Sequence, residues 1–345
     1  MSTDSRTLEA RAYCRRVLPR VSRTFALNIG WLDPGLRESV RLAYLLCRAA
    51  DALEDSWPDT PAGIRERFTR FRAALDGDDA VAAALAAEAE HRAGGEEDLG
   101  LLTRLPLLLA LLRTLPGGDR TLIGTAVHTM AEGMSRYAVR DAERGDGAPY
   151  LDDEAELHDY CWVVAGCVGV MLTGMLEARR PGDPDARREL RRTLAPRVGE
   201  ALQLTNILLD WPTDARRGRC YVPAAWLAET GLRPHELVGG ERPEARALAE
   251  RLGALAHDAL DRVADYLDAI PRRHLRYRLF CLLPAVWARR SLVRALATPG
   301  FPTRAERPKL SRTELWTSAA TALVAVSDGA AARRLLGADA PRPVS

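Results

Sequence analysis

The segment YLLCRAADALED, Tyr44 to Asp55, places acids inside an otherwise apolar run. Side chains at i, i+4, i+7 and i+11 share one face of an α-helix, and Tyr44, Arg48, Asp51 and Asp55 have those offsets, with Glu54 beside them. Leu42, Ala43, Leu45 and Leu46 surround the stripe. Roughly 155 residues later the plan returns: Gln203, Asn206, Asp210 and Asp214 are spaced 0, 3, 7 and 11 among Leu202, Leu204, Ile207 and Leu208. Carboxylates are rarely buried unless paired or bound to metal, so acids lining apolar helices imply a cation between them.

Outward from these stripes the helical period continues. Residues 36–55, 101–115, 121–143, 154–176, 189–209, 246–270 and 276–296 all carry apolar residues at a 3.6-residue spacing and are rich in Ala, Leu, Arg and Glu. Strand signals are scarce. The breaks, at 57–63, 93–100, 116–119, 145–149, 181–185 and 231–242, are too short for interdomain linkers. The expected architecture is all-α: one domain over residues 1–335, helices around a central apolar cavity, then a frayed tail over 336–345. Residues 78–98, rich in Ala, Asp and Glu, read as a solvated helix and loop.

The chain has 345 residues, 47% of them hydrophobic, enough to bury a large core. A formal net charge of +2 argues against a nucleic-acid binder. Of 49 basic residues only Lys309 is a lysine, the mark of a GC-rich genome. Six cysteines at 14, 47, 161, 167, 220 and 281 form no CxxC pair and no zinc spacing, which suits a reducing compartment. The polar, arginine-rich start lacks the apolar run of a signal peptide, so a cytoplasmic location is expected. Tyr160 to Leu176 is 17 residues without a charge, the lower limit for a bilayer span, but its three glycines make a buried core helix the better reading.

Magnesium prefers six oxygens and joins one or two carboxylates to waters and substrate phosphates. Two facing carboxylate stripes would hold such ions around a diphosphate and make it a good leaving group. Arg216, Arg217 and Arg219, directly after the second stripe, offer fork-shaped donors for phosphate oxygens. Either stripe alone would also suit a solvated face with ion pairs. A departing diphosphate leaves a carbocation, which needs a dry apolar wall, and the uncharged Tyr160 to Leu176 segment supplies one, with Tyr160 and Trp162 as ring faces for positive charge.

With these residues in view, the chain resembles the squalene and phytoene synthase family of head-to-head prenyl synthases. The resemblance rests on SRTF (Ser22 to Phe25), YLLCRAADALED, YCWVVAGCVG (Tyr160 to Gly169), LQLTNILLD (Leu202 to Asp210), RGRCYVP (Arg217 to Pro223), FCLLP (Phe280 to Pro284) and KLSR (Lys309 to Arg312). It implies an isoprenoid synthase fold and a magnesium-dependent condensation of two prenyl diphosphates through a cyclopropyl intermediate. By resemblance Asp51, Glu54, Asp55, Asn206, Asp210 and Asp214 hold magnesium. Ser22, Arg23, Tyr44, Arg48, Gln203 and Arg219 contact diphosphate, Tyr160 steers proton loss, and the acids Asp51, Asp55, Asp210 and Asp214 are the catalytic set.

DALED, YCWVVAGCVG and FCLLP are more similar to the squalene branch, of bacterial type, than to the phytoene branch. KLSR is similar to a segment associated there with NADPH, which implies Lys309 and Arg312 as its contacts and reduction to squalene as the ending. No GxGxxG follows a strand, so the hydride donor rests on resemblance alone. Endings without NADPH, to phytoene, dehydrosqualene or hydroxysqualene, stay open, as do a catalytically silent pathway subunit and a helical membrane protein. Loose peripheral membrane contact fits a very apolar product. Leu209 stands where many members carry a basic residue. Pro212 between Asp210 and Asp214 is expected to push Trp211 out of the α region and either displace Asp214 or kink the helix.

Overall fold

Runs of Ala, Leu, Arg and Glu with a 3.6-residue apolar period become helices throughout the described residues of the computed structural model, which are 3–92, 97–145, 147–303 and 307–338. The all-α expectation holds. Among the described residues the β structure is an isolated bridge between Pro149 and Cys220. The chain gathers into two compact units, Met1–Glu143 with Gly174–Pro181, and Arg144–Thr173 with Gly182–Ser345.

The first unit contains α1 (Thr3–Val21), α2 (Arg23–Ile29), α3 (Pro34–Asp55), α4 (Pro61–Leu75), α5 (Asp79–Arg92), α6 (Glu97–Leu102), α7 (Leu105–Thr114) and nearly all of α8 (Gly117–Arg144). Its centre is α3, which packs against α1, α2, α4, α6 and α7 and buries Leu42, Leu45 and Leu46 completely. Residues 101–115, expected as one helix, divide at Thr103 and Arg104. Pro106 in the first turn of α7 has no N–H to continue an earlier helix and suits a helix start instead. The helix expected as solvated, α5, is exposed over most of its surface but buries one face, Ala82, Leu85, Ala86 and Ala89, against α4, α6 and α7. Residues 93–96 of that expected loop lie outside the described residues.

The second unit contains α9 (Glu154–Cys161), a π-helical turn (Trp162–Gly166), the start of α10 (Cys167–Ala178), α11 (Asp185–Arg216), α12 (Ala224–Thr230), α13 (Pro243–Ala269), α14 (Leu275–Ala297), α15 (Arg312–Ala325) and α16 (Gly329–Leu336). Here α11 is central, packed along α13 and against α14, α9 and the π turn. The approach to the π turn is close because the residues there lack side chains. A Cβ at Gly169 would lie 2.1 Å from the Ala195 carbonyl oxygen, and one at Gly199 would lie 2.1 Å from that of Ala165. A single α-helix was expected over 154–176; the π turn interrupts it with i to i+5 bonding, a feature frequent at functional sites. The Glu154–Ala178 stretch is apolar and long enough to cross a membrane by length and composition, and 56% of its most apolar window is buried.

A chain of buried hydroxyls ties this unit together: Thr173 and Tyr266 meet at 2.8 Å, Tyr266 and Tyr277 at 3.0 Å. All six cysteines are buried and outside any disulfide, and burial pushes the thiols of Cys14, Cys167, Cys220 and Cys281 up to about 12, which favours the protonated thiol. The expected frayed tail does not begin at 336, since Leu336 closes α16 fully buried and Ala338 is 5% exposed. Residues 339–345 lie outside the described residues.

Candidate active site

The first stripe takes the form its spacing implies. From Leu42 to Leu53 every residue of α3 is buried except Tyr44, Arg48 and Asp51, which line one edge and lead to Glu54 and the exposed Asp55. Arg48 Nη1 donates to Asp51 Oδ2 at 2.9 Å. The end of α3 is fastened by Arg67 of α4, 4% exposed, whose guanidinium donates to the carbonyls of Leu53 at 3.2 Å and Trp57 at 2.5 Å and to Asp59 at 3.1 Å. Its plane also lies 4.9 Å from the Trp57 ring. Of the SRTF motif, Ser22 caps α2 by accepting from the Phe25 N–H at 3.2 Å, Arg23 is exposed, and the Phe25 ring stands 5.1 Å from that of Tyr44.

The second stripe lies on α11. Gln203, Asn206, Asp210 and Asp214 remain accessible while Leu204, Thr205, Ile207, Leu208, Leu209, Trp211 and Pro212 are buried. Of the expected effects of Pro212, the departure of Trp211 from helical conformation is not found: α11 runs through Pro212 to Arg216. A proline inside a helix costs about 3 kcal/mol and leaves one carbonyl, here that of Leu208, without its helical donor. Burial of Trp211, Leu208 and Leu209, together with a Trp211 Nε1 bond to the Leu237 carbonyl at 3.2 Å, outweighs that cost and holds the turn in register. Asp214 therefore stays on the face of Asp210.

After Asp214 the RGR sequence forms the helix end. Arg217 and Arg219 both donate backbone N–H to the Asp214 carbonyl at 2.9 Å, and the turn between them needs Gly218, at φ +80°. The chain then meets residues 149–150, where Tyr150 N–H donates to the Cys220 carbonyl at 2.7 Å. This brings three tyrosines together: the ring of Tyr160, 5% exposed, lies 5.6 Å from Tyr150 and 5.3 Å from Tyr221, and those two are 5.0 Å apart. Tyr150 and Tyr221 were not singled out from sequence, although Tyr221 stands within RGRCYVP. The Trp162 ring covers Gly166 and is 39% exposed.

Asp210 has a partner that spacing does not reveal. Arg307 Nη1 donates to its Oδ1 at 2.5 Å, from 97 residues away. Burial pushes the Asp210 carboxyl above its ordinary 3.8 in spite of the opposing pull of Arg307 and Arg217. Lys309 and Arg312 are exposed at the start of α15, where Ser311 is the N-cap and exchanges hydrogen bonds with Glu314.

Among the described residues no group of three or more His, Cys, Asp or Glu comes together to hold a metal. Taken each by itself, the two stripes offer oxygen donors, the kind that suits magnesium when waters and phosphates complete its shell, and Asp51 and Asp210 each already pair with a guanidinium cation.

The helical architecture is that of the all-α isoprenoid-synthase fold. A sequence model of the squalene/phytoene synthase family matches residues 18–314, and the chain belongs to that family. It is 28% identical over 281 residues to human squalene synthase, covering 80% of this chain and 61% of that protein. It is 27% identical over 258 residues to the bifunctional lycopene cyclase/phytoene synthase of Podospora anserina, covering 73% of this chain and 42% of that protein. The chain thus spans less than two thirds of either. Among solved structures, TcSQS in complex with the ligand BPH1237 superposes with a TM-score of 0.75 at 24% identity, covering 95% of this chain and 89% of that one, a likeness of fold.

Proposed function

We propose that this protein condenses two farnesyl diphosphates head to head, with magnesium, through presqualene diphosphate to squalene. The observation that carries the reading is the pair of acidic stripes, each accessible among buried neighbours on its helix, the second running directly into the RGR turn. Asp51, Glu54 and Asp55 on α3 and Asn206, Asp210 and Asp214 on α11 would hold the magnesium, which when bound neutralises the charge that develops on a departing diphosphate. Ser22, Arg23, Tyr44, Arg48, Gln203 and Arg219 would orient the diphosphates.

In the first half-reaction the C1–O bond of one substrate breaks and its electron pair leaves with the diphosphate. C1 then bonds to the C2=C3 bond of the other substrate, and loss of a proton closes the cyclopropane. Tyr160, buried in its cluster with Tyr150 and Tyr221, is suited to steer that proton and to face the cations with its ring. In the second half the cyclopropyl diphosphate ionises and rearranges. Lys309 and Arg312, exposed cations, would hold the phosphates of NADPH, which supplies hydride to the final cation. The likeness to a phytoene synthase favours the runner-up, an ending by proton loss without NADPH.

Incubation of the purified chain with farnesyl diphosphate and magnesium, with and without NADPH, separates these readings. Squalene only with NADPH is the expected result; products indifferent to NADPH would sink the reductive ending. No diphosphate release at all would instead support a silent subunit, a reading that loses its main motive once α11 continues unbroken through Pro212.

A further inference from the structure

The contact between Arg307 and Asp210 joins two motifs that the sequence keeps apart. Arg307 stands two residues before Lys309, whose carbonyl accepts from Arg294 Nη1 of α14 at 2.9 Å. Arg294 also pairs with Glu314, the residue that closes the Ser311 cap of α15. The guanidinium is thus delivered to Asp210 by a segment fastened at its far end to α14 and α15. Its target is an oxygen that the magnesium reading assigns to the metal. Both side chains keep access to water, 39% for Arg307 and 35% for Asp210, so the pair is free to exchange partners.

Two cations cannot share this carboxylate cheaply. Arg307 already holds Asp210 Oδ1, and a part-buried carboxylate disfavours a further concentration of charge there. Magnesium arriving alone must displace Arg307 and leave the guanidinium without an anion. If a diphosphate arrives as well, its oxygens fit the planar fork of a guanidinium better than a single carboxylate oxygen does. We propose that Arg307 is an exchange cation: it holds Asp210 before loading, gives the carboxylate up to magnesium, and turns to the diphosphate, so that metal and diphosphate bind cooperatively. The inference rests on the magnesium-diphosphate reading above.

Calorimetric titration tests it without any turnover. In the absence of diphosphate, Arg307→Gln is expected to bind Mg2+ about fivefold more tightly than the wild type, the upper end for displacing a part-exposed ion pair. Inorganic diphosphate should then tighten Mg2+ binding less in this variant than in the wild type. Arg307→Lys keeps a cation on Asp210 and should match the wild type for Mg2+ alone. Adding Asp210→Asn to the wild type and to the Arg307→Gln variant should erase the difference between them. Equal Mg2+ affinity in wild type and Arg307→Gln, both folded by circular dichroism, would overturn the exchange, as would a fivefold gain in the lysine variant. No Mg2+ binding by the wild type with or without diphosphate would overturn the magnesium reading itself, and this inference with it.

Discussion

Replacing Gly199 by alanine tests the closest helix approach in the second unit and, through it, the placing of the acidic stripe. The added Cβ would stand 2.1 Å from the Ala165 oxygen, 2.4 Å from the Ala165 carbonyl carbon and 2.8 Å from Gly166 N. Ordinary contact begins at 3.4 Å, so α11 and the π turn must separate by 3.4 − 2.1 = 1.3 Å. All three atoms are backbone, and no side chain can rotate away. Overpacking of a close-packed interior costs about 1–3 kcal/mol, and movement of two backbone segments places this change near 3 kcal/mol. That corresponds to a melting temperature lower by roughly 6–12 °C for a unit of this size. Since Gln203 and Asn206 follow within two turns, turnover should fall beyond what lost stability explains. Thermal and urea unfolding followed by circular dichroism measure the first effect. Gly124→Ala in α8, where an added Cβ meets nothing within 4 Å, is the control and should stabilise by about 0.5–1 kcal/mol. A Gly199→Ala protein that unfolds like the wild type would refute the close approach and the account of why glycine occupies both sides of it.

Three further outcomes follow from the geometry. Because α11 carries Asp214 on the same face as Asp210, Asp210→Asn and Asp214→Asn should each lower kcat by about a hundredfold or more with folding intact, and a near-normal Asp214→Asn enzyme would show that the last turn does not serve the site. The hydrogen bond with Glu200 raises His158 above its ordinary 6.5, so the pair's contribution to stability is complete below 6.5 and is lost as pH rises through the raised value. Unfolding free energies followed upward in pH should fall in the wild type and stay flatter in Glu200→Gln; parallel profiles would rule the pair out as the cause. Arg67→Ala should cost about 2–4 kcal/mol, since it strips donors from the buried carbonyls of Leu53 and Trp57, and urea midpoints equal to wild type would contradict that role.

Much of the site was legible in the sequence because it is written in local period. On α3, burial of everything from Leu42 to Leu53 except Tyr44, Arg48 and Asp51 is what offsets of 4 and 7 dictate once the segment is helical and packed. The same holds for Gln203, Asn206, Asp210 and Asp214, and Gly218 stands where the turn after α11 needs a positive φ. That Trp211 stays helical beside Pro212 was not legible, because proline's cost is local whereas the burial of Trp211 that outweighs it is tertiary.

The sequence by itself determined the helical class, the two stripes and the family motifs, since each depends on residues within a few turns of one another. Only the tertiary structure decided which side chains attend the stripes: Arg67 closing α3, Tyr150 and Tyr221 around Tyr160, the glycines that admit the π turn to α11, and Arg307 on Asp210. These contacts join segments up to 97 residues apart. No local period encodes such a pairing, because it depends on how whole helices pack to bury their apolar faces.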